Sequence, residues 1–398
     1  MYFLHGFLFL RHCLLLILGA TVSPLEISTM VSMFSVVTLL AEIPLGVISG
    51  HLGPKKMLLL GLLAYTFGYL IILARKNFIT FCIFYGSSGF YETIFSSSRE
   101  VIAYSSAKHL GIEDGLVRYR SNAKMLQYGA LVLSSFLAGK LVGQDIGYLI
   151  VVDISTLLLH LITVCSLAEY NNQNLKKLNA NYLQSVKKSL RYLLRHYSLR
   201  KLIIFRVVWS SMLKVFASYA PIFYEKITGG TARIKYMIPG QILMSAVLQR
   251  ITMKYLLEKK NIYLDTLLFF FAGLTALCAV AIHRGILSYG LLIAYFACLQ
   301  NAELLFFSRI QRLIPAKFQA IIVSTSSFAN SLGRIVLLRT IGLLANGHGY
   351  HLAFGVPAAF LTFSTLLFSL TILGDKHINL LERRNKPNSR DSREAQRL

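Results

Sequence analysis

The stretch EIPLGVISGHLGPKK, Glu42 to Lys56, places a carboxylate and a proline inside an apolar run and then ends that run on Gly50, Gly53, Pro54, Lys55 and Lys56. A run that is apolar for some 20 residues and stops on glycine, proline and two lysines reads as a helix that has crossed a hydrocarbon core and met the water on its far side. Gly46 permits close approach of a neighbouring helix, Gly53 a tight turn, and Lys55 and Lys56 anchor the aqueous surface.

The rest of the chain repeats this pattern. Of its 398 residues 55% are hydrophobic and 15% are charged, with 26 Phe against 17 acidic residues, a load of apolar surface that no soluble fold could hide. Each crossing of a hydrocarbon core of roughly 30 Å takes about 20 apolar residues in a helix, because a helix satisfies its own backbone groups. By that measure the chain has twelve spans, at 1–22, 26–49, 57–74, 78–106, 121–143 and 146–168, then 201–224, 234–257, 262–283, 286–310, 317–343 and 350–373. The first begins almost at Met1, has no small-residue cleavage site and is followed closely by a second, so it is read as a retained span; the natural start could lie upstream.

The net charge of +24 would direct attention to nucleic acid in a soluble protein. Here the cations gather in alternate loops: Lys55 and Lys56, Lys108 to Lys124, Lys176 to Lys201, Lys254 to Lys260, Arg309 to Lys317 and Arg383 to Arg397. The opposite loops hold far fewer, an asymmetry of about four to one that puts both termini in the cytoplasm of a multi-pass protein of the cell membrane. The basic loops then serve topology and contact with the lipid bilayer, and no nucleic acid is expected as a partner. Cys13, Cys82, Cys165, Cys278 and Cys298 lie in apolar spans without a C-x-x-C, so neither a disulfide, a metal nor a cofactor is expected.

Polar residues divide the spans six and six. Residues 1–168 form an expected N-terminal six-helix bundle and 201–374 a C-terminal one. Between them, 169–200 carries Leu183, Val186, Leu190, Leu193 and Leu194 at helical spacing among Lys187, Lys188, Arg191 and Arg195, an amphipathic cytoplasmic linker. Residues 375–398 read as a disordered basic tail.

Three blocks carry a resemblance to the major facilitator superfamily. Gly46 to Lys56 resembles its G-x-L-A-D-R-x-G-R-K loop between the second and third helices, and Glu42-Ile43-Pro44 completes the E-I-P-x-G version found in bacterial carriers. Glu100, Tyr104, Ser106 and Lys108 are similar to its E-A-L-I-Y-D-S-L-K element. Ile314, Pro315, Ala320, Ser324, Gly333 and Arg334 are similar to its I-P-x-x-x-R-A-T-x-x-S segment. The resemblance implies an all-α integral membrane fold with twelve transmembrane helices in two six-helix bundles, a small-molecule substrate moved by alternating access, and a loop that latches the halves. It also favours export of a small or amphipathic compound. The chain departs from the pattern at Gly50, Pro54 and Ser105, where the family has Asp, Arg and Asp, which weakens the implied latch. A non-transporting receptor or assembly factor on the same fold, or an uptake carrier, is the alternative.

Charges inside spans are costly unless a cavity or partner receives them. Arg11, Glu92, Lys214 and Glu303 fall in the first, fourth, seventh and tenth spans, which line the central cavity in the superfamily. They are read as a site for a charged substrate, with Glu92 or Glu303 carrying a proton if protons are the coupling ion, since low-dielectric surroundings favour a neutral carboxyl. The competing reading makes Arg11–Glu92 and Lys214–Glu303 static pairs. Arg206 is expected to snorkel, Asp153 and His160 to be structural or a relay, Arg334 and Arg339 to meet helix ends or carboxylates, and Tyr85, Tyr91, Tyr219, Tyr224 and Tyr295 to pack in the core or line a cavity. An enzyme is not expected: His109 and Asp114 share the H-x-x-x-x-D spacing of membrane acyltransferases by coincidence of two residue types, and no nucleotide or metalloprotease motif is present. The default oligomeric state is a monomer.

Overall fold

A computed structural model describes residue 4 and residues 22–109, 116–141, 146–167, 191–193, 195–228, 239–248, 262–282, 285–313 and 316–373. Among the described residues the regular structure is all helical. The helices are α1 Pro24–Leu52, α2 Pro54–Ala74, α3 Phe78–His109, α4 Leu116–Leu141, α5 Ile146–Ser166, α6 Tyr197–Thr228, α7 Pro239–Leu248, α8 Ile262–Ile282, α9 Gly285–Leu313 and α10 Ala316–Leu373. They coincide with the second to twelfth expected spans. α6 begins at Tyr197, four residues earlier than expected. The first span beyond residue 4, most of the linker and the tail lie outside the described residues.

α10 contains the last two spans, because its backbone is helical on both sides of Gly349, which alone adopts φ 80 and ψ 169. A residue with positive φ breaks the hydrogen-bond ladder and re-aims the chain, and glycine does so without a Cβ clash. Gly53 performs the same service between α1 and α2 at φ 81. The turn expected at the end of Glu42–Lys56 is therefore a single residue. At the other end of α1, Ser23 and Glu26 form a reciprocal cap: the Ser23 amide and hydroxyl donate to Glu26 Oε2 at 3.0 and 2.7 Å, and the Glu26 amide donates to Ser23 Oγ at 3.3 Å.

Five stretches are long and apolar enough to cross a membrane by length and composition, among them Pro54–Ala74, Gly147–Ser166 and Leu199–Tyr219. Their outer faces carry Phe67, Ile162 and Phe363, each at least 60% exposed, which water would punish and acyl chains accept. Hydroxyls inside the helices bond their own backbone one turn back, as Thr38 does to Phe34 and Thr93 to Gly89.

α3 packs on α1 and α2, α2 on α5, α6 on α9 and α10, and α8 on α9 and α10, while α1 also packs against α10. Around α2, α3 and α5 the core is aromatic: Tyr65 stacks on Tyr91 at 5.1 Å, and Tyr69 and Phe84 meet edge to face at 4.9 Å. The corresponding cluster around α6 sets Phe205 flat on Phe368 at 3.8 Å and Trp209 against Phe269 at 4.7 Å. Tyr85, Tyr91, Tyr219 and Tyr295 are all buried in such packing, and the side chain of Tyr224 lies outside the description.

Gly89 of α3 faces the backbone of α1, and an added Cβ would press into the Phe34 carbonyl and lie 3.1 Å from Thr38 Oγ1. Since backbone cannot step aside cheaply, Gly89→Val is expected to destabilise the protein by about 1–3 kcal/mol, seen as a lowered midpoint in thermal denaturation of purified protein.

Candidate functional site

α6 repeats a polar residue every fourth position: Arg206, Ser210, Lys214 and Ser218. Four residues are slightly more than one helical turn, so these side chains share one side of the helix and climb along it. At a rise of about 1.5 Å per residue Lys214 lies about 26 Å from the Tyr197 end and about 21 Å from the Thr228 end, midway through the span.

Partners come from α9 and the first arm of α10. Glu303 of α9 accepts a hydrogen bond from Ser210 Oγ at 2.6 Å and faces the Arg206 guanidinium at 3.9 Å. Arg206 also donates to Ser326 Oγ at 2.6 Å. Asn330 extends the chain: its Nδ2 donates to Ser210 Oγ at 2.7 Å, and its Oδ1 accepts from Ser211 Oγ at 2.6 Å. Each neutral hydroxyl or amide thus spends its donor on the next acceptor, and the sequence ends on the one carboxylate, Glu303. Gly333 makes the approach possible, since a Cβ there would lie 2.6 Å from Ser211 Oγ.

Two expectations are corrected by this geometry. The static Lys214–Glu303 pair does not form, because Glu303 takes Ser210 and Arg206. Arg206 does not snorkel to an aqueous end: only 14% of its side chain is exposed, and it is bonded between α9 and α10.

Lys214 is exposed, midway along α6. The charges acting on Lys214 are those of Arg334, Glu303, Arg206 and Glu92, in falling order. Glu92, half-buried on α3, therefore belongs to the same electrostatic neighbourhood from across the molecule. Arg334 is half-buried: its guanidinium sits 4.7 Å over the Phe34 ring of α1 and donates to Ser218 Oγ at 3.5 Å. Arg11 lies outside the described residues. Of the four expected site residues, Lys214 and Glu303 lie on the packed helices α6 and α9 and Glu92 acts on Lys214 from α3; Arg206, Arg334, Ser210 and Asn330 join them. The four-residue polar spacing along α6 was the available signal for Arg206 and Ser210; nothing in the sequence pointed to Asn330.

α1, α6 and α10 close against one another on the face that holds Pro24. Tyr219 donates to the Pro24 carbonyl at 3.3 Å, Arg339 to Thr29 Oγ1 at 3.4 Å, and Gly342 lets Ser28 approach until a Cβ would sit 2.6 Å from Ser28 Cβ. On the opposite face Lys55 Nζ donates to the carbonyls of Cys165 and Leu167 at 2.7 and 2.6 Å. The first is among the last carbonyls of α5 and the second lies just past its end, both left without a partner in the helix and favourably met by a cation. Lys55 thus ties the loop to α5. Lys56 is exposed, Glu42 half-buried and Pro44 exposed within the continuous helix α1. Gly46 lies within α1; Glu100, Tyr104 and Lys108 lie on α3 with side chains outside the description, and Pro315 is outside the described residues.

The alternative relay in the sixth span resolves into two separate bonds. Buried Asp153 accepts from Tyr69 at 2.8 Å, and buried His160 Nδ1 meets Tyr91 OH at 3.2 Å. Both fasten α5 to its neighbours, the structural role.

Because Glu303 and Arg206 hold each other, losing the second costs less once the first is gone. Arg206→Leu is expected to lower stability by about 1–3 kcal/mol, and Arg206→Leu with Glu303→Leu by less than the two single changes added together; a double-mutant cycle in thermal denaturation measures this.

The family model described as Major Facilitator Superfamily matches residues 7–338. No curated protein matches the chain. Among solved structures, the nucleoside transporter NupG superposes with a TM-score of 0.71 at 11% identity, covering 94% of this chain and 96% of that one. A D-xylose-proton symporter gives 0.67 at 13% identity, covering 92% and 94%. A bacterial homologue of the human lysosomal transporter Spinster, in an inward-facing and unoccupied conformation, gives 0.68 at 10% identity, covering 93% and 95%. At these identities the likeness is one of fold, and it spans nearly the full length of each chain. With the family model covering most of the sequence, the chain belongs to the Major Facilitator Superfamily.

Proposed function

We propose that the protein is a secondary active carrier of the cell membrane that moves a small solute by rocking two six-helix halves, 1–168 and 201–374, around a site at Lys214, Glu303 and Glu92. The observation that carries this reading is the convergence of charges from α3, α6, α9 and α10 midway along their helices, where a charge is expensive unless something uses it. Arg11 of the first span completes the site in this reading, and both termini and the basic loops face the cytoplasm.

Glu303 is the coupling carboxylate. A proton on Glu303 removes the charge that holds Arg206 and alters the acceptor at the end of the Ser211–Asn330–Ser210 chain. Protonation therefore changes what joins α9 to α6 and α10, as a coupling step requires. The packed face at Pro24, Tyr219 and Gly342 is then the extracytoplasmic gate, closed here, and the site opens to the cytoplasm, the conformation in which the Spinster homologue was captured. Lys55 capping α5 keeps the loop on its own half, so that the halves can part on that side.

Export is the favoured direction, on the Glu42-Ile43-Pro44 loop of efflux-like carriers. Uptake is the second reading, favoured by a proton symporter among the structural neighbours.

In vesicles with an imposed pH gradient, screened against a panel of small solutes, the protein is expected to accumulate one solute. Glu303→Gln should lose gradient-driven accumulation at least about tenfold while retaining solute exchange. If Glu303→Gln and Glu92→Gln both accumulate like the unaltered protein, neither carboxylate carries the proton. If no solute is distinguished from empty vesicles, the non-transporting receptor takes the place of the carrier.

A further inference from the structure

The sign of the charge that the site accepts can be read from Lys214, and the reading rests on the carrier proposal above. Among the described residues the Lys214 ammonium has neither a hydrogen bond nor an ion pair, although it stands midway along α6 and is exposed. A bare ammonium at that depth costs several kcal/mol, roughly, unless a counter-charge arrives. The nearby carboxylates act on it only at a distance, without an ion pair: Glu303 is held by Ser210 at 2.6 Å and Arg206 at 3.9 Å, and Glu92 lies on α3.

The charge that acts on Lys214 most is itself a cation, Arg334. Its guanidinium reaches Ser218 Oγ at 3.5 Å, and Ser218 lies one turn beyond Lys214, its hydroxyl bonded to the Lys214 carbonyl at 2.8 Å. An ammonium and a guanidinium therefore meet adjacent turns on one side of α6. Like charges brought together in low dielectric repel strongly, and a group that binds between them relieves the repulsion and gains charge-assisted hydrogen bonds from both. Planar guanidinium forks and lysine ammonium groups suit the oxygens of carboxylates and phosphates.

We propose that the transported solute is an oxyanion, a carboxylate or phosphate, whose charged group docks on Lys214 with Arg334 beside it. Phe34, under the Arg334 guanidinium, braces that cation from the side of α1. Binding of the anion thereby draws on α6, α10 and α1, helices that also meet at the packed Pro24 face.

The local potential tests this whichever solute is carried. In the full-length protein, reconstituted in phosphatidylcholine vesicles with the native cysteines replaced, a cysteine at Ser218→Cys is treated with a negatively charged sulfonatoethyl methanethiosulfonate and its positively charged trimethylammonioethyl counterpart. Rates are normalised to those of free cysteine. The anionic reagent should be favoured by about tenfold, the preference should fall about threefold in Lys214→Gln with Arg334 still in place, and Lys214→Arg should keep it. A preference for the cationic reagent, a ratio untouched by Lys214→Gln, or no reaction with either reagent overturns the inference. Should Lys214→Gln fail to fold, the ratio in the Ser218→Cys protein still decides. An anion preference in a protein that accumulates no solute leaves the oxyanion site standing and removes the carrier reading; a cation preference in a protein that accumulates a solute does the reverse.

Discussion

Within a hydrocarbon core no polar group can borrow a hydrogen bond from water, and most features of this molecule follow from that constraint. Helices satisfy their own backbones, and serines and threonines bond the carbonyl one turn back. The rarer groups that cannot be served locally must find one another across helices. Asp153 with Tyr69, and His160 with Tyr91, fasten α5 in this way. Arg206, Glu303, Ser210, Asn330, Ser211 and Ser326 form the larger set, and their mutual needs determine how α6, α9 and α10 face each other.

Lys214 is the exception within that economy. It sits on the same side of α6 as Arg206 and Ser210, yet the carboxylate that could neutralise it is engaged one turn away. The chain thereby separates two jobs that a single ion pair would merge. Glu303 and Arg206 join α9 to α6, while Lys214 stays exposed with the Arg334 guanidinium one turn away. Glycine makes the arrangement possible: Gly333 lets Ser211 reach Asn330, and Gly342 brings α1 and α10 close enough to seal one face. At such contacts dispersion and close approach do the holding, since lipid tails offer no hydrophobic drive between helices.

Much of this was legible in one dimension. The length of each apolar run, the glycine at position 53 and the spacing of basic loops predicted the second to twelfth spans, which the described helices overlap, because spanning a bilayer is a local requirement on composition. Lys214, Glu303 and Glu92 were recognisable for the same reason, since a charge inside an apolar run is conspicuous. Which charge partners which was not legible. Arg206 looked like a snorkelling residue because sequence gives depth without azimuth, and Asn330 and Ser326 gave no sign because a neutral polar residue in a helix can always bond its own backbone.

The sequence by itself determined a helical membrane protein, the place of its spans and the candidate charges, because hydrophobicity along the chain is set residue by residue. Only the tertiary structure decided that Glu303 belongs to Arg206 and Ser210, that Arg334 stands beside Lys214, and that α1 closes on α10. Those outcomes depend on rotation and approach between helices separated by up to some three hundred residues, as Thr29 and Arg339 are, and no local pattern encodes them.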